Sequence, residues 1–450
     1  MSQYKTYTKL DLPNVAKEVL DKWEENKVFE KSISTREGKD PFVFYEGPPS
    51  ANGLPGIHHV MGRAIKDIFC RYKTLKGFKV ERKAGWDTHG LPVELSVEKK
   101  LGITKEDIGN KISVDDYNKE CRETVMQYTD IWNDLTEKMG YWVDMDDPYV
   151  TYENKYMETV WWLLGQLYAK GLMYKGYTIQ PYSPAAGTGL SSHEINQPGC
   201  YQDVKDTTAV AQFKITDSSK LGVDNVHFLA WTTTPWTLPS NTALAVGKKI
   251  DYVLVKSFNQ YTHLPINVVL AKPLLAKQFS GKYFESEELN YSEGDKKIPF
   301  TVISEFKGAD LVGMTYEQLL PYVLPNKDAE KAFQVISGDF VTTEDGTGIV
   351  HIAPTFGQDD AQVAKDAGVP AMLVLDDKGN EVPLVDLQGR FRPEMGEFAG
   401  MYVKNEYYKD GEAPERSADV QICIKLKEEN KAFNVSKYEH SYPHCWRTDK

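Results

Sequence analysis

Residues Phe42 to His59 read FVFYEGPPSANGLPGIHH, and this stretch decides the fold. Phe42-Val43-Phe44-Tyr45 is a short apolar, aromatic run suited to a buried parallel strand. Gly47-Pro48-Pro49-Ser50-Ala51-Asn52-Gly53 then rules out regular structure, because Gly and Pro punctuate the backbone and Asn-Gly turns it. From about Ile57, the apolar residues Val60, Met61, Ala64, Ile65, Ile68, Phe69, Tyr72 and Leu75 recur at helical spacing until Gly77 stops them. A strand, a glycine-bearing loop and a helix start attract phosphate, since the first-turn N–H groups are free and the dipole is positive there. His58 and His59 add two imidazoles to that turn, which suits a nucleotide triphosphate. Taken alone, the motif is equally an ordinary strand-to-helix connection with surface histidines.

Two further blocks tip the reading. After a strand predicted near Phe78–Arg82 comes Gly85-Trp86-Asp87-Thr88-His89-Gly90-Leu91-Pro92-Val93-Glu94, and much later Trp231-Thr232-Thr233-Thr234-Pro235-Trp236-Thr237-Leu238-Pro239. In this order the three blocks resemble the class I aminoacyl-tRNA synthetases, and within them the isoleucyl family, from the N-terminus to the last residue. The resemblance implies a Rossmann-like α/β nucleotide-binding domain, of which this chain carries the first half, with an inserted β-rich, barrel-like editing domain. It implies an enzyme that activates isoleucine with ATP and Mg2+ and transfers it to tRNA(Ile).

Activation joins a carboxylate to the α-phosphorus of ATP and expels pyrophosphate, so positioning and phosphate charge dominate the barrier. By resemblance, Gly47, Pro48 and Asn52 line the amino-acid and nucleotide cleft and Asp87 holds the substrate's α-ammonium. Asp87 is otherwise a turn or helix-cap residue. Glu46 stands at the strand's carboxyl end, where open α/β sheets bind ligands. The family signature is His-x-Gly-His, but positions 56–59 read Gly-Ile-His-His. His59 matches the last histidine and its role toward the ATP phosphates. Gly56 stands where the first histidine belongs and His58 where the glycine does. Either activity is lost, or the two positions have exchanged roles; the intact neighbouring blocks favour the exchange.

Telling isoleucine from valine rests on one methylene, worth about 1–3 kcal/mol, a limit for which isoleucyl enzymes are themselves the worked example. A second, hydrolytic site must then remove valine, and the insert is its expected home. By resemblance, Thr232, Thr233, Thr234, Thr237 and Asn241 line a pocket for the misacylated adenosine end, and Asp360 anchors the α-amino group. On propensity alone, three threonines in a row are merely strand-friendly. His351 reads as a general base or as a packed core imidazole. No Ser-His-Asp or Cys-His pairing is evident, which points to a positioned water rather than a covalent intermediate.

The 450 residues suffice for two to four domains, with 41% hydrophobic and 26% charged residues as in soluble globular proteins. The net charge of -12 argues weakly against an RNA partner, because a local basic strip can carry phosphate contacts. The start, MSQYKTYTKLDLP, lacks an apolar signal core, and no long apolar run suggests a membrane span; a cytoplasmic location is expected. The five cysteines are scattered, odd in number and without C-x-x-C spacing, which argues against a disulfide framework and for a reducing compartment. Some relatives hold a structural zinc with two C-x-x-C pairs. Here the first pair's positions are Ser183 and Ala186 and the second retains Cys445 alone, so no zinc is expected.

Along the chain, residues 1–40 read as a helical lead-in, 41–199 as the first part of the catalytic domain, 200–435 as the insert and 436–450 as the return segment. Ser113 opens a helix predicted to run toward Met139, and a second helix begins near Glu153, with Trp161 and Trp162 as core aromatics. In the insert, Phe340-Val341-Thr342-Thr343 and Ile349-Val350-His351-Ile352 suggest a hairpin through Glu344–Gly348. The family's Lys-rich second signature and anticodon-binding region have no counterpart before Lys450, so the resemblance implies an N-terminal fragment, and a monomer. Valyl and leucyl enzymes are the nearest alternatives, and a silent RNA-binding or deacylase-only paralogue is the alternative of another class.

Overall fold

In a computed structural model, which describes residues 9–176 and 178–450, the chain divides into two compact units, residues 1–176 and 177–450. In the first, two helices, α1 (Leu12–Glu25) and α2 (Val28–Ser34), precede strand β1 (Pro41–Tyr45) and helix α3 (Ile57–Leu75). Strand β2 (Lys79–Trp86), helices α4 (Leu91–Leu101), α5 (Val114–Val125) and α6 (Thr129–Lys138), strand β3 (Asp144–Val150) and helix α7 (Asn154–Ala169) follow. The strands form a parallel sheet in the order β1-β2-β3, with Tyr45 opposite Lys83 and Trp86 opposite Val150. Parallel pairing puts the carboxyl ends of β1 and β2 at one edge, where the loop after Tyr45 meets the turn after Trp86.

Two expectations are corrected here, and α3 adds a finding. The helix opened by Ser113, whose hydroxyl accepts from the Asp116 N–H at 3.0 Å, stops at Val125 and restarts at Thr129. The interruption has a use: the Tyr128 N–H donates to the Ala51 carbonyl (3.0 Å), and the Trp132 indole N–H to the Gly53 carbonyl (2.9 Å), pinning the glycine-proline loop. Trp161 and Trp162 are exposed, at 69% and 63%, because no described element covers that face of α7. The apolar repeat of α3 marks the helix but not its core side. Ile57, Met61, Ile65, Ile68, Phe69, Tyr72 and Leu75 face outward, while Arg63, Cys70 and Thr74 are buried.

The second unit is β-rich, as the sequence predicts. Its strands are β4 (Tyr201–Lys214), β5 (Val226–Thr232), β6 (Ala243–Val246), β7 (Asp251–Phe258), β8 (Pro265–Ala271) and β9 (Tyr283–Glu285). Further strands are β10 (Ile298–Lys307), β11 (Gln334–Ser337), β12 (Ile349–Ile352) and β13 (Ala432–Pro443). The sheet runs β9-β10-β7-β8-β5-β12-β6-β11, with β4 paired to β5 and β13 to β4. No ladder among the described residues closes it into a barrel. Isolated bridges from Ile215 to Tyr316 and from Thr315 to Gln334 instead link the end of β4 to β11. The expected hairpin is absent, since residues 340–343 form no strand and β12 pairs antiparallel with β6 and parallel with β5. Central strands are buried on both faces, so Phe213, Phe228, Leu244, Leu254 and Val269 are fully enclosed.

Candidate functional site

Each unit carries one constellation. In the first, Gly56 is extended (φ -106°, ψ 171°) and α3 begins at Ile57. The Gly56 N–H donates to Nδ1 of His59 at 2.9 Å, so in the neutral ring the proton sits on Nε2, the free donor. His59 packs edge-on against the buried Trp132 with centroids 4.7 Å apart, and 3.8 Å from the His58 ring. Burial, then the neighbouring His58 and Arg63 charges, push the His59 imidazole below its ordinary range. A Cβ on Gly56 would lie 2.8 Å from His58 Cε1, so the His58 ring fills the space that a side chain at 56 would occupy. That packing fits an exchange of positions between the two residues.

Asp87 follows β2, and its N–H donates to the Pro49 carbonyl at 3.0 Å, which joins the second block to the loop after β1. Its carboxylate is half-buried, and Oδ1 accepts a long hydrogen bond from the His89 N–H at 3.4 Å. Gly47 is exposed, whereas Pro48 and Asn52 are half-buried on the same loop. Glu46, expected to face a ligand, is 3% exposed. Its carboxylate is held by Lys66 Nζ at 2.5 Å and by the Tyr141 hydroxyl, and burial together with that bond raises the phenol's pKa. Beside it, Arg63 ties α3 to α6 by donating to Thr136 Oγ1 at 2.7 Å. Glu46 therefore braces the sheet's carboxyl edge against α3. Sequence patterns missed Lys66, Arg63 and Tyr141, which resemble a solvated face until the fold joins them.

The second unit carries a half-open cavity of about 1010 Å³ whose wall includes Thr232, Thr233, Thr234, Thr237, His351 and Asp360. The threonine loop is tied to itself: Thr232 Oγ1 accepts from the Thr234 N–H at 3.1 Å, and the Thr237 hydroxyl donates to the Thr234 carbonyl at 2.9 Å. Asp360 lies in the first turn of helix α8 (Gln358–Ala367), and its Oδ2 accepts from the Ala353 N–H at 2.9 Å. Burial raises its carboxyl pKa, while the Ala353 hydrogen bond opposes the shift. Asn241 is not on the wall, contrary to expectation. At 2% exposure it sits behind His351, because its amide is needed there.

A second buried group was not legible in the sequence. Asp419, in helix α9 (Ala418–Glu428), accepts from the Trp236 N–H at 2.8 Å and so caps the helical turn that carries Thr237. Lys404 lies 2.8 Å from Asp206 and 3.6 Å from Asp419. Burial pushes the Asp419 carboxyl up to about 6, against the pull of Lys404 and the Trp236 N–H.

The family model for tRNA synthetases class I (I, L, M and V) matches residues 18–409. The chain belongs to that family. It is 63% identical to an isoleucine–tRNA ligase of Cytophaga hutchinsonii over 98% of this chain and 40% of the relative. Identity is 62% to that of Bacteroides fragilis, over 100% and 41%. The chain thus spans about two fifths of the length of the curated relatives it matches. A solved structure titled "The crystal structure of GlLeuRS-CP1" aligns over 51% of this chain and 99% of its own at 17% identity and a TM-score of 0.33. Membership rests on the sequence matches.

Within this member of the family, His351 provides a stability test. Burial pushes its imidazole down from 6.5 to about 4. A lowered folded value means stabilisation that is fully present above pH 6.5 and lost as the pH falls toward 4. Urea unfolding of the second unit should therefore lose about 2 kcal/mol between pH 7 and pH 5 through this group. His351→Asn should flatten that slope.

Proposed function

We propose that the protein is an isoleucine–tRNA ligase with two reaction centres: activation of isoleucine by ATP at the α3 mouth, and hydrolytic removal of misattached valine in the cavity of the second unit. The observation that carries this reading is the threonine-walled cavity, with Asp360 on its wall, in a chain that resembles isoleucine–tRNA ligases end to end. At the first centre, the free N–H groups of α3 and His59 Nε2–H donate to phosphate oxygens, and Asp87 takes the substrate's ammonium. Magnesium would arrive on the ATP phosphates, whose charge it would offset. At the second centre, Asp360 takes the α-ammonium of valine and the threonines hold the ribose end, leaving water to attack the ester.

Isoleucine, ATP and tRNA(Ile) are the proposed partners, with a monomer in the cytoplasm as the working state and no membrane contact. Among the described residues no helix is long and apolar enough to cross a membrane. The test is a pair of assays on the full-length protein: isoleucine-dependent ATP–pyrophosphate exchange, and hydrolysis of valyl-tRNA(Ile) against isoleucyl-tRNA(Ile). Exchange with preferential hydrolysis of the valyl ester is expected. Hydrolysis without exchange would favour the deacylase-only paralogue, and exchange without hydrolysis would remove the editing role.

A further inference from the structure

Tyr316 belongs to none of the motifs, yet it begins a hydrogen-bond chain whose direction follows from its shortest contacts. It is 3% exposed, with its ring edge-on to Phe213 at 5.5 Å, and its hydroxyl lies 2.6 Å from Asn241 Oδ1. Asn241 Nδ2 lies 2.8 Å from the Ala243 carbonyl and 2.8 Å from His351 Nδ1. A backbone carbonyl only accepts, so the amide nitrogen must be the atom facing Ala243; the Ile352 carbonyl stands farther off at 3.4 Å, and the two hydrogens go to the two close acceptors, Ala243 O and His351 Nδ1. The amide oxygen then faces Tyr316, which must donate.

His351 Nδ1, receiving a hydrogen, is bare; the ring proton sits on Nε2, 3.0 Å from Thr237 Oγ1. The Thr237 hydroxyl spends its own hydrogen on the Thr234 carbonyl at 2.9 Å. Hydrogens therefore point one way, from Tyr316 through Asn241, His351 and Thr237 to Thr234. A base must hold a lone pair toward its substrate, and the one bare nitrogen of His351 is turned into the protein.

We propose that Tyr316 is a positioning residue that, through Asn241, locks His351 as the neutral Nε2–H tautomer and presents Thr237 to the cavity purely as an acceptor for a substrate or water O–H. His351 takes no proton in this arrangement. The activity part rests on the editing reading of the cavity; the tautomer does not.

Histidine ring 15N NMR on the full-length protein, with His351→Asn to assign the signal, reads the tautomer. A protonated Nε2 and a bare Nδ1, unchanged from pH 7 to pH 5, are expected. A proton on Nδ1, or titration near the ordinary histidine value, overturns the proposal. In the valyl-tRNA(Ile) assay, Tyr316→Phe should cut the hydrolysis rate constant about tenfold with KM unchanged, the scale of one lost buried hydrogen bond. Thr237→Val should lose more, and Thr237→Ser, which keeps the hydroxyl, should recover most of it. Thr237→Val at wild-type rates overturns the acceptor role even if the tautomer is as stated. A wild-type protein that leaves valyl-tRNA intact overturns the editing reading, and the NMR result still decides the direction of the chain.

Discussion

Asp360→Ala in the full-length protein is expected to lower hydrolysis of valyl-tRNA(Ile) by about 100- to 1,000-fold and to leave isoleucine-dependent pyrophosphate exchange unchanged. The carboxylate is on the cavity wall, partly withdrawn from water, and already fixed by the Ala353 N–H. A pre-positioned charge of this kind offers an ammonium a charge-assisted bond without reorganisation. Truncating one partner of a desolvated charge pair costs about 2–5 kcal/mol, and each 1.4 kcal/mol is a factor of ten. Asp360→Asn keeps the Ala353 contact while removing the charge. Most of the loss should appear in that variant too, which separates charge from packing.

The complementary expectation concerns His59. His59→Ala should reduce pyrophosphate exchange by about 100- to 1,000-fold, as removal of one pre-positioned donor does at other charged transition states, and leave valyl-tRNA hydrolysis intact. The imidazole is held at three points: by the Gly56 N–H, by the Trp132 ring and by the His58 ring. Its side chain is thus fixed before any phosphate arrives, and its depressed pKa keeps Nε2–H as a neutral donor near pH 7. Gly56→His alone should also be harmful, because its Cβ would meet the His58 ring at 2.8 Å. Loss of both activities together in His59→Ala would indicate unfolding rather than a missing donor.

How much of this was legible in the sequence depends on how local the cause is. The strand, loop and α3 were readable because Gly, Pro and Asn-Gly act on their own backbone, and the helix does begin at Ile57. The break at Met126–Tyr128 was not, since it serves a hydrogen bond to Ala51, distant in sequence. Residue type alone makes Trp161 and Trp162 look like core, but burial depends on a covering element, and among the described residues α7 meets none there. Glu46 was placed at the right edge, but the partners that occupy it, Lys66 and Tyr141, lie 20 and 95 residues away. The threonines stand in one contiguous block, so sequence alone points to them. Asn241 stands close to that block in sequence, but its amide faces the imidazole of His351 instead of the cavity. Tyr316 and Asp419 carry no local signal, because their roles arise from bonds spanning 75 and 183 residues.

If the α3 mouth holds the phosphates while Asp87 holds the amine, a crystal structure of the full-length protein with a non-hydrolysable isoleucyl-adenylate analogue will show both contacts. The analogue's phosphate-mimicking group is expected within hydrogen-bonding distance of the first turn of α3 or His59 Nε2, and its ammonium on the Asp87 carboxylate. An analogue bound elsewhere, or one whose ammonium is met by a group other than Asp87, would contradict it.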